Sequence, residues 1–192
     1  MRNILVGLKA QYPDLYGWIV LPGTVINYPV MQSTDNEYYL DHAYNGDRLA
    51  AGAIYVDYHC KKDLWSNYNL VVYGHHMTNG TMFNSLDKFF NESFFRTNNT
   101  VYFYTLDGMF TYEVFSFYET NMYYPYIRTL FPNYQTFKEF SEEMRSNSLF
   151  EVEGLTFGDA ERMLTLSTCN NRTDEGRLAV HAILVDAYFA SS

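Results

Sequence analysis

Apolar and polar positions alternate along most of this chain, in short runs separated by turn residues. Tyr16 to Val20 is one such run, closed by Pro22-Gly23. Val25 to Val30 follows, with Pro29 marking an edge or a bend, because proline cannot donate to a sheet ladder. Ala53 to Tyr58 and Leu70 to Tyr73 predict two further strands on either side of a mixed, polar loop, Cys60 to Asn69. Val101 to Thr105 and Phe110 to Tyr118 flank Asp107-Gly108, a dipeptide that suits the tight turn of a hairpin. Met163 to Thr168 and Leu178 to Phe189 form the last pair, joined by the polar segment Asn170 to Gly176.

The period changes between Pro132 and Phe150. Phe137, Phe140 and Met144 recur at helical spacing, with Lys138, Glu139, Glu142 and Glu143 between them. That is an amphipathic helix, expected to pack on the sheet. Residues 1–15 read as a helical lead-in with Leu5, Leu8 and Leu15 on one apolar face, interrupted by Pro13. Asp35 to Tyr39 predicts a single helical turn, and Thr81 to Phe90 a short helix after Asn79-Gly80. About eight short, closely spaced strands with one clear helix predict a mainly β fold, a closed or nearly closed barrel. Nothing in the pattern marks an internal repeat or a boundary, so residues 1–192 read as one domain.

Composition narrows the function classes. Hydrophobic residues make up 47% and charged residues 18%, enough for a packed core and too few charges for disorder. The 19 Tyr and 15 Phe favour strands and belong either to an aromatic core or to a Tyr-lined groove for an extended peptide. A net charge of −9 without a basic stripe argues against nucleic acid. Two cysteines, Cys60 and Cys169, allow at most one bridge, and both are expected to stay unbridged. No run reaches the roughly 20 apolar residues of a membrane span, and no signal-peptide pattern is visible.

The chemistry concentrates at two strand ends. Cys169 closes an apolar strand and opens a polar loop, a place where a thiol is held rigidly and still reaches the surface. The bland alternative is a buried structural cysteine. Arg177 opens the next strand. If the two strands form an antiparallel hairpin, its guanidinium lies beside the thiol, where it favours a thiolate or holds a peptide carbonyl; otherwise it is a surface charge. A thiol nucleophile also needs an acid–base partner. His75 and His76 follow Val71-Val72-Tyr73-Gly74 at another strand end, and either is a candidate. His42, His59 and His181 lack that setting and read as structural or exposed. The adjacent histidines point apart on a strand and neither cysteine has CxxC spacing, so no metal site is expected. There is no GxGxxG, P-loop or GxSxG pattern either, and no cofactor is expected.

At this point the motifs resemble a known family. Tyr73-Gly74-His75-His76-Met77 with Gly80-Thr81-Met82-Phe83 resembles the histidine segment of class B sortases, and Thr165-Leu166-Ser167-Thr168-Cys169 their TLxTC nucleophile strand. Arg177-Leu178-Ala179-Val180 resembles their arginine strand. Gly17-Trp18-Ile19, Tyr28-Pro29-Val30 and Tyr38-Tyr39-Leu40 extend the likeness toward the start. The helix ahead of the nucleophile strand separates class B from class A. The absence of an Asp-Pro-Trp or Asp-Pro-Phe lid disfavours class C.

The resemblance implies a closed eight-stranded barrel with an N-terminal helix and the amphipathic helix before the nucleophile strand. It implies a cysteine transpeptidase that cleaves a C-terminal sorting signal after Thr, forms a thioacyl-enzyme and passes the acyl group to an amine. That amine belongs to a cell-wall precursor peptide or a pilin lysine. Cys169 is then the nucleophile, His75 the acid–base, because it directly follows the glycine, and Arg177 the oxyanion or substrate clamp. Ser167 shares side-chain parity with Cys169 and is expected to line the same groove, and Tyr126-Ile127 resembles a substrate-contacting pair. The implied partners are a sorting-signal peptide and an amine acceptor. The implied location is the extracellular face of a Gram-positive cell membrane, held by an anchor outside these residues. A thiol peptidase that only hydrolyses, and an inactive peptide-binding barrel, are the rival readings.

Overall fold

Eight strands close into one barrel in the computed structural model, which describes residues 1–155, 157, 161–170 and 172–190. They are β1 (Leu15–Val20), β2 (Asn27–Met31), β3 (Ile54–Val56), β4 (Asn69–Tyr73), β5 (Thr100–Tyr104), β6 (Gly108–Asn121), β7 (Met163–Cys169) and β8 (Gly176–Phe189). Their order round the barrel is β1-β2-β3-β4-β7-β8-β6-β5, with β5 returning to β1. The β2–β3 and β4–β7 neighbours run parallel, and the others antiparallel. Closure leaves no strand edge to be covered.

Each predicted strand exists, and the differences lie at the ends. The hairpin at Asp107-Gly108 forms as expected, with Tyr104 opposite Met109. β6 and β8 are longer than their apolar runs, because they pair with each other from Gly108↔Phe189 to Asn121↔Gly176. A backbone ladder needs no apolar side chain, so the polar stretch Glu119-Thr120-Asn121 gives no sequence signal of its strand character. β3 keeps only three residues of the Ala53 to Tyr58 run.

Helix α1 spans Arg2–Gln11 and stops ahead of Pro13, whose ring disfavours helical backbone just before it. Leu15 therefore lies in β1, not on the helix as its spacing suggested. It still reaches the same cluster, in which Leu5, Leu15, Met31, Tyr39 and Tyr55 pack between α1 and the barrel. The turn expected at Asp35 to Tyr39 is a 3₁₀ turn at Tyr38–Leu40, and Asn84–Phe90 is a longer 3₁₀ segment. A short helix α2, Glu92–Thr97, has no counterpart in the predicted elements; Asn91 caps it by accepting from the Phe94 amide at 3.0 Å.

The amphipathic helix α3 covers Tyr134–Ser146, with Asn133 capping the Thr136 amide at 3.0 Å. Phe137, Phe140, Ser141 and Met144 are its buried face. They pack on Phe115, Tyr118, Ala179 and Ile183, the outer face of β6 and β8. Burying one such Phe is worth about 1.5–3 kcal/mol, so α3 is tied to the barrel by packing far more than by helix propensity. The barrel interior is a separate cluster containing Ile19, Val30, Val71, Phe103, Phe117, Leu166 and Val180. Among the described residues, no helix is long and apolar enough to cross a membrane.

Candidate active site

The register of two strand pairs decides what meets at the barrel rim. β7 and β8 pair antiparallel, and their last rung sets Cys169 opposite Arg177. β4 and β7 pair parallel, with Tyr73 opposite Ser167, and the Gly74 amide continues the ladder by donating to the Ser167 carbonyl at 3.3 Å. His75 and Cys169 each lie two residues beyond that pair, so both chains reach the rim at the same height. Gly74 is required between them, since a Cβ there would run into Ile54 and Phe83.

Cys169, His75 and Arg177 all line one open cavity of about 300 Å³. Its floor and walls are aromatic and polar: Tyr55, Tyr73, Tyr126 and Asn36, with Ser167, Thr168 and Ile127. Leu40 and Met122 stand at its mouth, and both are exposed. Cys169 is a half-buried free thiol.

The orientation of His75 follows from one contact. Its Nε2 lies 2.7 Å from the Leu40 carbonyl oxygen. A carbonyl only accepts, so Nε2 carries the proton and Nδ1 is the lone-pair nitrogen of the neutral ring. His76 turns elsewhere. Its Nε2 is 3.0 Å from Asp87 Oδ1, its Nδ1 is 3.3 Å from Asn84 Nδ2, and it does not line the cavity.

Arg177 is anchored by one nitrogen. Nη1 donates to the Gly176 carbonyl at 2.8 Å and the Asp174 carbonyl at 3.3 Å. The donors on Nε and Nη2 have no partner among the described residues, which leaves the other edge of the guanidinium for a ligand.

Ser167 and Tyr126 form a unit. Their hydroxyl oxygens are 2.8 Å apart, and both residues are buried. One hydroxyl donates to the other, so one O–H of the pair remains for a further acceptor. The loop after the thiol is braced by Asn170, whose Oδ1 accepts from the Arg172 amide at 3.0 Å and the Thr173 amide at 3.4 Å. Asn171, in the same loop, lies outside the described residues.

The sequence patterns did not single out Asn36 or the carboxylate behind it. Asp57 is buried, and accepts from the Tyr73 hydroxyl at 2.7 Å, Asn36 Nδ2 at 2.9 Å, and the amide and Nδ1 of His59 at 2.8 and 2.9 Å. Burial alone would raise its carboxyl, but these hydrogen bonds outweigh it and hold the group below the usual carboxylate range. Asn36 and Tyr73 are thereby fixed from behind the cavity. An Asp at the end of a strand run carries no signal of this hub, because its partners come from three separate segments. Cys60 is no part of the cavity; burial pushes its thiol up to about 12, as expected of a structural cysteine.

The family model described as Sortase domain matches residues 19–185. The chain belongs to the sortase family, which comprises cell-wall transpeptidases. Within that family it is similar to sortases of class B. It is 33% identical to Sortase B of Listeria monocytogenes over 189 residues, 96% of this chain and 75% of that protein. The crystal structure of Clostridium perfringens sortase B superposes with a TM-score of 0.88 at 37% identity, over 94% of this chain and 99% of that one. A Staphylococcus aureus sortase B–substrate complex superposes at 0.87 with 32% identity, over 96% and 86% of the two chains. The predicted barrel and class therefore stand.

Proposed function

We propose that this chain is a cysteine transpeptidase of the sortase B type, with Cys169 as nucleophile, His75 as acid–base and Arg177 as oxyanion clamp. The single observation that carries the reading is the convergence of the three side chains on one cavity at the ends of β4, β7 and β8. His75 Nδ1 takes the proton from Cys169 Sγ. The thiolate attacks the carbonyl carbon of the sorting-signal Thr, and the oxyanion is met by the free Nε and Nη2 donors of Arg177. Collapse breaks the peptide C–N bond, and the imidazolium returns its proton to the departing amine. An incoming amine then gives its proton to Nδ1 and attacks the thioester, releasing the thiol.

Tyr126, Ile127 and Ser167 contact the peptide, and the spare hydroxyl proton of the Tyr126–Ser167 pair is available to one of its carbonyls. The acceptor is an amine of a cell-wall precursor or a pilin lysine. The site of action is the outer face of a Gram-positive cell membrane. The test is mass spectrometry of the protein after incubation with sorting peptides, with and without an amine. The expected result is an acyl adduct on Cys169 that amine converts to a transpeptidation product. Hydrolysis alone with amine in excess would make the chain a peptidase. Binding without any adduct would make it an inactive peptide-binding barrel.

A further inference from the structure

His181 lies in the middle of β8, fully buried, on the flank of the barrel beneath α3. It belongs to an unbroken chain of buried polar groups. Tyr118 Oη is 3.0 Å from His181 Nε2, and His181 Nδ1 is 2.9 Å from Thr165 Oγ1. Thr165 Oγ1 is 2.8 Å from Asn69 Oδ1, and Asn69 Nδ2 is 2.8 Å from the backbone carbonyl of Arg128. Tyr118, His181, Thr165 and Asn69 are all buried.

The last contact fixes the direction of the two before it. The Arg128 carbonyl only accepts, so the Asn69 atom facing it is the amide nitrogen, and Oδ1 faces Thr165. Oδ1 only accepts, so the Thr165 hydroxyl donates to it. That hydroxyl has no second proton, so His181 Nδ1 must donate to Thr165. Burial pushes His181 down to about 3, so the ring is neutral near pH 7, and its Nε2 must accept from Tyr118. Tyr118, His181, Thr165 and Asn69 thus donate in one direction, and the chain ends on the loop between β6 and α3.

Arg128 directly follows Ile127. Ile127 lines the cavity, and Tyr126 before it is tied to Ser167. Ile127 is therefore held between two tethers, one from Ser167 on the nucleophile strand and one from the buried polar chain on the barrel flank beneath α3. We propose that His181, Thr165 and Asn69 form a positioning relay that sets the Tyr126-Ile127 segment against the substrate peptide without touching the peptide. The inference rests on the reading of Tyr126 and Ile127 as substrate contacts.

Thr165→Val tests it, because it keeps the side-chain shape and removes the one hydroxyl through which the relay passes. The KM for a sorting peptide should rise about tenfold, as expected when buried partners lose their hydrogen bonds and the loop loosens. The kcat and the rate of Cys169 alkylation by iodoacetamide, which does not use the loop, should stay within about twofold, well inside the factor a lost reacting group produces. Thr165→Ser should restore KM. In the free protein, amide exchange at residues 126–130 should quicken about tenfold in Thr165→Val and not in Thr165→Ser. If Thr165→Val does not fold, Tyr118→Phe removes the outermost donor, together with its contact to Met144 Sδ at 3.1 Å, and should move KM and exchange in the same direction by about threefold.

Unchanged KM and exchange would overturn the relay. So would a parallel loss of kcat, KM and alkylation rate that serine does not repair, since that is general damage to the barrel. A parent protein that cleaves no sorting peptide sinks the transpeptidase reading instead, and the exchange measurement then decides the relay alone.

Discussion

The two histidines on either side of the nucleophile strand differ in what they leave free. At the rim, His75 commits Nε2 to the Leu40 carbonyl, lines the cavity, and leaves Nδ1 without a hydrogen-bond partner among the described residues. On the flank beneath α3, His181 commits both nitrogens, to Tyr118 and Thr165, and burial holds it neutral. The strands are the same barrel; the exposure is not. An imidazole reacts only where one nitrogen is oriented and the other unoccupied, and it becomes a structural element where both are filled. The barrel supplies the first condition at its open rim, where a strand ends, and the second at mid-strand under a covering helix.

The sharpest way to break this contrast is at the thiol that the rim serves. Cys169→Ala should lower acyl transfer by at least about 10⁴-fold, as loss of a nucleophile does, while leaving the thermal midpoint within a few degrees of the parent. Activity within tenfold of the parent would remove the nucleophile from Cys169.

Next comes the pairing of adjacent histidines. His75→Ala should lower kcat/KM by about 10²–10⁴-fold, the usual range for a lost acid–base group. His76→Ala should keep activity within about tenfold and act on stability instead, because His76 faces Asp87 and Asn84. A dead His76→Ala beside an active His75→Ala would exchange the roles.

Arg177→Lys should fall by about 10²–10³ in kcat/KM, the range for one lost oxyanion donor. The planar fork is fixed on one edge by two carbonyls and free on the other, a geometry that an ammonium cannot reproduce. Nearly full activity with lysine would make the residue a background charge.

The last two effects are on stability and separate the regions by pH. His181 has its folded pKa depressed to about 3, so the unfolded chain takes up the proton first as pH falls. Its contribution is complete above the usual imidazole range and should be lost below pH about 6.5, at up to about 1.4 kcal/mol per pH unit. Urea midpoints of His181→Gln should lack that component. Asp57 is also held below its ordinary value, so its contribution is present above the carboxylate range and disappears only under stronger acid, from about pH 4 downward. Asp57→Asn should cost about 1–3 kcal/mol at neutral pH and flatten the acid limb. A single acid transition unaffected by either variant would erase the distinction.

The legibility of the molecule follows the same division. The strand runs, the hairpin at Asp107-Gly108 and the α3 face of Phe137, Phe140 and Met144 are readable because their signals are local. So are Cys169, Arg177 and the His75-His76 pair, because each stands at the end of an apolar run. Ser167 is legible from its parity with Cys169 along the strand, whereas Tyr126 and Ile127 rest on the family likeness alone, and the cavity contains all three. Leu15 has helical spacing yet lies in β1, because the helix ends ahead of Pro13 while Leu15 still faces the same cluster. Asn36, Asp57 and the chain through His181 escaped because their partners lie far away along the chain, as with Asp57 and Tyr73, or Asn69 and Arg128.

What the sequence determined by itself was the set of elements and the reactive side chains at their ends, since periodicity and turn chemistry act over a few residues. Only the tertiary structure decided which strand ends share a rim, which histidine nitrogen is free, and which polar groups are buried together. Those depend on the parallel register of β4 with β7 and on barrel closure, and both are set by pairing between residues roughly a hundred positions apart, such as Asn69 and Met163.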